Sequence, residues 1–294
     1  MKNTALIIMA AGLASRYGGN KQIDGMGPNG EILMEYSIRD AIRAGFTKIV
    51  FIIRKDMQKL MHDLCGRKFE DQVEVCYAVQ DFDSVPGGVP EGRVKPYGTV
   101  HAALSARVCV SEPFAVLNAD DYYGVESFKQ MHEFLQTVKP QGSAAMMGYM
   151  LRNTVSRHGG VARAICRMEN GRLVSVREKS KVRLLEDGTI ADMADESAPE
   201  VLNGDDAVSM NFWGFGEGMF EVMDREFTRF VSEIPAGDLK AEYLLPVFVD
   251  RLLKAGELEV SVLPTQAKWF GVTYREDRDR VAAELKKLHD AGIY

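Results

Sequence analysis

"ALIIMAAGLASRYGGNKQ" spans Ala5–Gln22. Its first part, Ala5–Met9, is an unbroken apolar run with no polar alternation. That pattern fits a strand buried on both faces, as in a parallel sheet covered by helices. A glycine-rich loop with two cations follows. Gly12, Gly18 and Gly19 let backbone N–H groups come close to an anion. Arg16 adds a planar fork and Lys21 a point charge, a combination suited to a polyphosphate. The spacing is neither that of a P-loop nor that of a Rossmann GxGxxG. Read alone, the stretch is an anion loop or a glycine turn carrying two solvated cations.

Strand and helix patterns alternate beyond it. Helical spacing runs through "ILMEYSIRDAIRAGF" to a stop at Gly45, and "KIVFII" (Lys48–Ile53) reads as a second strand. Asp56–Cys65 is helical, Val73–Val79 a third strand, Val100–Val110 a helix, Phe114–Leu117 a fourth strand and Ser127–Val138 a helix. This order predicts an α/β fold of three layers, α/β/α, with a mostly parallel Rossmann-like sheet and right-handed crossovers.

The second half differs. Ser143–Tyr149, Val161–Met168 and Leu173–Glu178 read as strands, the last two joined by an Asn170-Gly171 hairpin turn. Leu185–Ala198, "LEDGTIADMADESA", is acidic and poorly patterned and reads as an exposed loop. Val208–Phe215 and Leu258–Leu263 are further strands; Met219–Val231, Tyr243–Ala255 and Asp277–Ala291 are helices. No flexible linker or internal repeat divides the chain. The expectation is one domain over 1–294, with a nucleotide-binding half (1–140) and an inserted mixed-sheet, acceptor-binding half (141–294).

The chain has 294 residues, a net charge of −6 and four cysteines without CxxC spacing. The acidic balance argues against non-specific nucleic-acid or membrane-surface binding, and no apolar run is long enough to span a bilayer. The start lacks a secretory leader pattern and the cysteines suggest reduced thiols, so a cytoplasmic setting is expected.

Ligands of open α/β sheets sit at the carboxyl ends of strands, and three more polar clusters fall at or near such ends. In "CYAVQDF…KPYGTVHAAL", Gln80 offers a donor and an acceptor to a base edge, and Gly98-Thr99 opens a helix that could approach a base or ribose. In "VLNADDYYG", Asp120 and Asp121 suit Mg²⁺, a hard cation that bridges to phosphates, or else form a turn or helix cap. In "SVREKS", Glu178 could accept from sugar hydroxyls and Lys179 hold a phosphate, or the two are a surface pair. His62, His101, His132, His158 and His289 show no metal spacing; His101 and His132 read as structural, while His158 lies near the candidate sugar loop.

Taken in order, these stretches resemble the sugar-1-phosphate nucleotidyltransferase family, which has a GT-A-like fold, over about Thr4 to Ala291. "AAGLASRYGGNK" is similar to the family's AGGxGTR…K, "YAVQ…YGTVHA" to its strand-Gln followed by GTxxA, "VLNADD" to VLxGD and "VREKS" to EKP. "EYLLP" and "WFGVTYRED" add support. The resemblance implies an enzyme that moves NMP from UTP, dTTP or CTP to a sugar 1-phosphate and releases pyrophosphate. Ala11, Gly12 and Leu13 would wrap base and phosphates. Arg16 would meet the β/γ-phosphates, Lys21 the α-phosphate, and Gln80, Gly98 and Thr99 the base. Asp120 would hold Mg²⁺, and Gly160, Glu178 and Lys179 would meet the sugar phosphate.

Departures bear on the substrate. Ala14 replaces a usual glycine, and Arg16 and Lys21 stand only five residues apart. That compact loop is closer to cytidylyltransferases of alcohol phosphates, so phosphocholine or another alcohol phosphate is an alternative acceptor. The family's second metal aspartate falls on Gly271, with Asp121, Asp205 and Asp206 as substitutes. Its Asn-Thr-Gly aligns with Ser209-Met210-Asn211. A GT-A glycosyltransferase and a non-catalytic nucleotide-binding protein are the readings from other classes. The sequence leaves oligomeric state open.

Overall fold

The sheet is built outward from Ala5–Met9 (β1), whose residues Ala5 to Ile8 are completely buried. The computed structural model describes residues 1–12, 25–156, 158–271 and 276–294. Helix α1 (Leu33–Ala44) begins where the Ile32 N–H donates to Glu35 Oε1, and stops at Gly45, whose φ of 107° suits glycine. Then come β2 (Lys48–Ile53), α2 (Gln58–Leu64), β3 (Glu74–Val79), α3 (Thr99–Ser105), β4 (Phe114–Asn118), the two-residue β5 (Asp121–Tyr122) and α4 (Val125–Leu135). Strands β4, β1, β2 and β3 lie side by side in parallel, so their carboxyl ends share one edge.

The second half adds β6 (Ser143–Met150), β7 (Val161–Glu169), β8 (Arg172–Leu184), β9 (Ile190–Asp192), β10 (Glu200–Leu202) and β11 (Ala207–Phe215). Helices α5 (Met219–Glu233) and α6 (Leu245–Lys254), strands β12 (Glu259–Pro264) and β13 (Phe270–Gly271) and helix α7 (Asp277–Asp290) complete it. Strand β11 pairs antiparallel with β6 along one side, and on its other side with β7 at its start and β4 at its end. The large sheet is therefore mixed; the parallel run expected from the sequence is β1 to β4, with one further parallel pair, β12 with β6.

Successive residues of a strand face opposite sides. Leu6, Ile8, Phe51 and Leu117 pack with Met34, Ile38, Phe128 and Met131 of α1 and α4. Ile7, Val50, Ile52 and Val116 pack with Val100, Phe227 and Phe248 of α3, α5 and α6. Double burial is what made these strands legible as continuous apolar runs.

Two local expectations are settled here. The Asn170-Gly171 turn has φ of 50° and 75°, the left-handed pair that a two-residue hairpin needs. The stretch Leu185–Ala198 is not simply an exposed loop. It contains β9, with Ile190, Ala191 and Asp192 buried between β8 and β10. Acidic neighbours hid a three-residue strand that pairing on both sides stabilises.

Candidate active site

The carboxyl edge of the parallel run brings three expected stretches together. Met9 pairs with Asn118 and Ile53 with Val79. Ala11 and Gly12 after β1, Gln80 after β3 and Asp120 after β4 therefore lie along one edge. Gly12 is exposed, and a Cβ there would meet nothing within 4 Å among the described residues. Leu13, Arg16 and Lys21 lie outside the described residues.

Asp120 is half-buried, and Asp121 is 7% exposed. Asp121 Oδ2 accepts from Asn118 Nδ2 at 2.9 Å and lies 3.1 Å from the Tyr123 hydroxyl. Burial, and then the Asp120 charge, push the Asp121 carboxyl up to about 7, against those hydrogen bonds and the Arg163 charge. Two carboxylates in such a setting repel each other, and a divalent cation would relieve that repulsion. Among the described residues, no group of three or more His, Cys, Asp or Glu side chains is arranged to hold a metal.

The second half closes over this corner. Arg163 is 7% exposed on β7; its Nε donates to the Thr154 carbonyl oxygen at 3.1 Å, and its guanidinium lies 4.9 Å from the Trp269 ring centre. Phe270 stacks on Tyr122 at 4.5 Å. Gly271 pairs with Asp121, and a Cβ on it would stand 2.4 Å from Asp121 Oδ1. Asn211 interrupts β11 with φ of 61°, and its Nδ2 reaches Asn118 Oδ1 at 3.5 Å. Asparagine is one of the few side chains that tolerate this conformation, which explains how it stands where the resembling family has glycine.

Just past β3, the Gln80 N–H donates to the Ile53 carbonyl oxygen at 2.9 Å. Gln80 Nε2 donates to His101 Nδ1 at 3.3 Å and to the Gly98 carbonyl oxygen at 3.5 Å. Gly98 has φ of 91°, and a Cβ there would stand 2.7 Å from the Tyr243 carbonyl oxygen. Thr99 Oγ1 accepts from the Leu245 N–H at 2.8 Å. Both residues thus dock α3 against the "EYLLP" stretch, which by itself accounts for the glycine at 98.

The sugar-phosphate candidates separate. Gly160 lies against β8, where a Cβ would be 3.1 Å from Lys181 Cγ. Glu178 is exposed, whereas Lys179 is 8% exposed and its ammonium pairs with Glu200 and, at 3.4 Å, with Asp192. Neighbouring strand residues face opposite ways, so Glu178 and Lys179 do not form one cluster. Sequence reading missed Asn118, Tyr123 and Arg163. An arginine in the otherwise apolar start of β7 was the available signal, since a buried charge needs partners.

The model of the nucleotidyl transferase family matches residues 7–238. The chain belongs to the nucleotidyl transferase family. No curated protein matches this nucleotidyl transferase. Several solved structures share its fold. One described as a candidate glucose-1-phosphate thymidylyltransferase from Bacillus anthracis has a TM-score of 0.63 and 15% identity, covering 96% of this chain and 95% of that one. A UDP-glucose pyrophosphorylase in complex with UDP-glucose gives 0.59 and 20%, covering 98% and 99%. The inositol-1-phosphate CTP transferase from T. maritima gives 0.58 and 10%, covering 98% of each chain. At these identities the likeness establishes the fold. Among the described residues, no helix of this nucleotidyl transferase is long and apolar enough to cross a membrane.

Proposed function

We propose that this nucleotidyl transferase moves NMP from an NTP to a sugar 1-phosphate, forming an NDP-sugar and releasing pyrophosphate. The observation that carries the reading is the shared carboxyl edge of β1, β3 and β4, along which Gly12, Gln80 and Asp120 lie. The chain acts as one domain, with the parallel run holding the nucleotide and the mixed region receiving the acceptor.

A phosphate oxygen of the acceptor attacks the α-phosphorus in line, and the bond to the leaving pyrophosphate breaks. Such a transfer needs positioning and neutralised charge rather than a protein nucleophile. Lys21 meets the α-phosphate and Arg16 the departing phosphates, while Ala11, Gly12 and Leu13 wrap the nucleotide. Gln80, with Gly98 and Thr99 framing its pocket, meets the base. Gly160 and Glu178 lie on the acceptor side, where Lys179 contributes through its ion pairs. Asp120, with Asp121 behind it, would hold Mg²⁺, whose charge would neutralise the triphosphate. A hard-oxygen donor pair completed by phosphate and water is the usual Mg²⁺ arrangement. The likeness to structures titled for glucose 1-phosphate and UDP-glucose supports a sugar acceptor. The cytoplasmic setting belongs to this reading.

A second acceptor class is favoured by one observation, the five-residue interval from Arg16 to Lys21. An inositol-1-phosphate CTP transferase stands among the similar folds. One panel separates the readings: each NTP with Mg²⁺ and, in turn, hexose 1-phosphates, inositol 1-phosphate and phosphocholine, with pyrophosphate as the readout. Release only with hexose 1-phosphates supports the sugar reading, and release only with an alcohol phosphate replaces it. Nucleotide binding without release points to a non-catalytic protein.

A further inference from the structure

We infer that His101 is a positioning residue that makes Gln80 a pure hydrogen-bond acceptor toward the nucleotide base. This rests on the reading of Gln80 as the base contact. A glutamine amide carries two N–H donors on one atom and an acceptor on the other. Left to rotate, it serves uracil, thymine and cytosine alike. Here its surroundings assign the rotation. The Gly98 carbonyl oxygen lies 3.5 Å from Nε2 and can only accept, so the atom facing it must be the nitrogen. His101 Nδ1, 3.3 Å from the same nitrogen, then takes the second hydrogen. Both donors are engaged, and Oε1 takes no hydrogen bond from any described residue.

The histidine is held for this task. It is 2% exposed, its ring stacks on Phe227 at 5.0 Å with an interplanar angle of 1°, and Tyr97 meets its edge at 5.9 Å. Burial pushes its pKa down to about 4, with Asp81 opposing and Arg93 assisting, so the ring is neutral and Nδ1 can accept at neutral pH. Its Nε2 is buried and has no hydrogen-bond partner among the described residues. The cost of that orphan group is hard to explain by packing alone, where a phenylalanine would serve.

Set against the ring nitrogen rather than the exocyclic amine of the base, an acceptor-only Gln80 favours a base that carries a hydrogen on that nitrogen. Uracil and thymine do so at N3 and guanine at N1, whereas cytosine and adenine present a ring-nitrogen acceptor at those positions. The test is kcat/KM for UTP, dTTP, GTP, CTP and ATP with a responsive acceptor, alongside nucleotide binding by calorimetry. Wild type should favour at least one ring-N–H base over CTP and ATP by about 10-fold or more. His101→Phe keeps a stacking ring and removes the acceptor, so the preference should fall to within about 3-fold. His101→Asn restores an acceptor at the Nδ1 position and should recover most of the preference. A ratio between bases is insensitive to a general loss of folded protein. A wild-type preference for CTP or ATP overturns the proposal even if no variant folds, as does an unchanged ratio in His101→Phe. Failure to bind any of the five nucleotides overturns the nucleotidyl-transfer reading itself, and this inference with it.

Discussion

Gly271 stands opposite Asp121 in the short β13–β5 ladder, with room for no side chain: a Cβ would lie 2.4 Å from Asp121 Oδ1 and 2.9 Å from the Trp269 ring. The resembling family places a carboxylate at 271. Here the Asp121 carboxylate fills the space such a side chain would need. The departure at 271 and the second aspartate of "NADD" are thus one structural fact. Gly271→Ala should cost about 1–3 kcal/mol, because the contact is overpacked and the neighbours are buried. Adding Asp121→Ala should recover part of that loss, since the two residues touch. Urea midpoints of the single and double variants measure both; a Gly271→Ala midpoint equal to wild type contradicts the geometry.

Lys179 separates a structural from a ligand role. Its ammonium lies between Asp192 and Glu200, and Asp192 is 8% exposed. Removing one partner leaves a buried carboxylate uncompensated, so Lys179→Met should destabilise by about 3 kcal/mol. A variant of full stability whose only defect is a raised KM for the acceptor would return Lys179 to direct phosphate binding.

Asp40 gives the chain a pH signature. Its Oδ2 accepts from the Tyr294 hydroxyl at 2.6 Å, yet burial pushes its carboxyl from 3.8 up to about 7, against that bond and the Arg43 and Arg39 charges. Between those two values the folded state holds a proton that the unfolded state has lost, so stability falls as pH rises through the window. The Asp40 contribution between pH 5 and pH 8 is about 3 kcal/mol. Asp40→Asn should flatten the pH dependence by that amount, read as the difference in unfolding free energy between the two pH values. An unchanged slope would mean that Asp40 ionises normally in the fold.

Asn211 carries φ of 61° at the break in β11. Asn211→Gly should be close to neutral, while Asn211→Val should cost about 1–3 kcal/mol because a β-branched residue is strained there. Thermal unfolding of the pair measures this. Equal stability of the two variants would show that the backbone relaxes.

The parts legible in the sequence were those with local signals. Runs such as Ala5–Met9 and Lys48–Ile53 are apolar throughout because helices cover both faces, and Asn170-Gly171 needs only its own two residues to specify a turn. The carboxyl-edge stretches were legible because each follows its strand directly. What escaped depends on contacts distant along the chain. Lys179 looked available because Asp192 and Glu200 are separate in sequence. The contact of His101 with Gln80 left no local signal because it crosses from a helix to a strand end. Residues Ile190–Asp192 looked like loop because a short strand is stabilised by its neighbours rather than by its own pattern.

The central claim is that the edge formed by β1, β3 and β4 transfers NMP to a phosphate acceptor, with Lys21 stabilising charge at the α-phosphate. The direct measurement mixes the protein with Mg²⁺, an NTP and a hexose 1-phosphate, and quantifies pyrophosphate and NDP-sugar together for wild type and Lys21→Ala. The account predicts equal molar yields of both products in wild type, and a rate lower by on the order of 10²–10³ in the variant, comparable to losing one oxyanion donor. Pyrophosphate without NDP-sugar, or a Lys21→Ala rate equal to wild type, would contradict it.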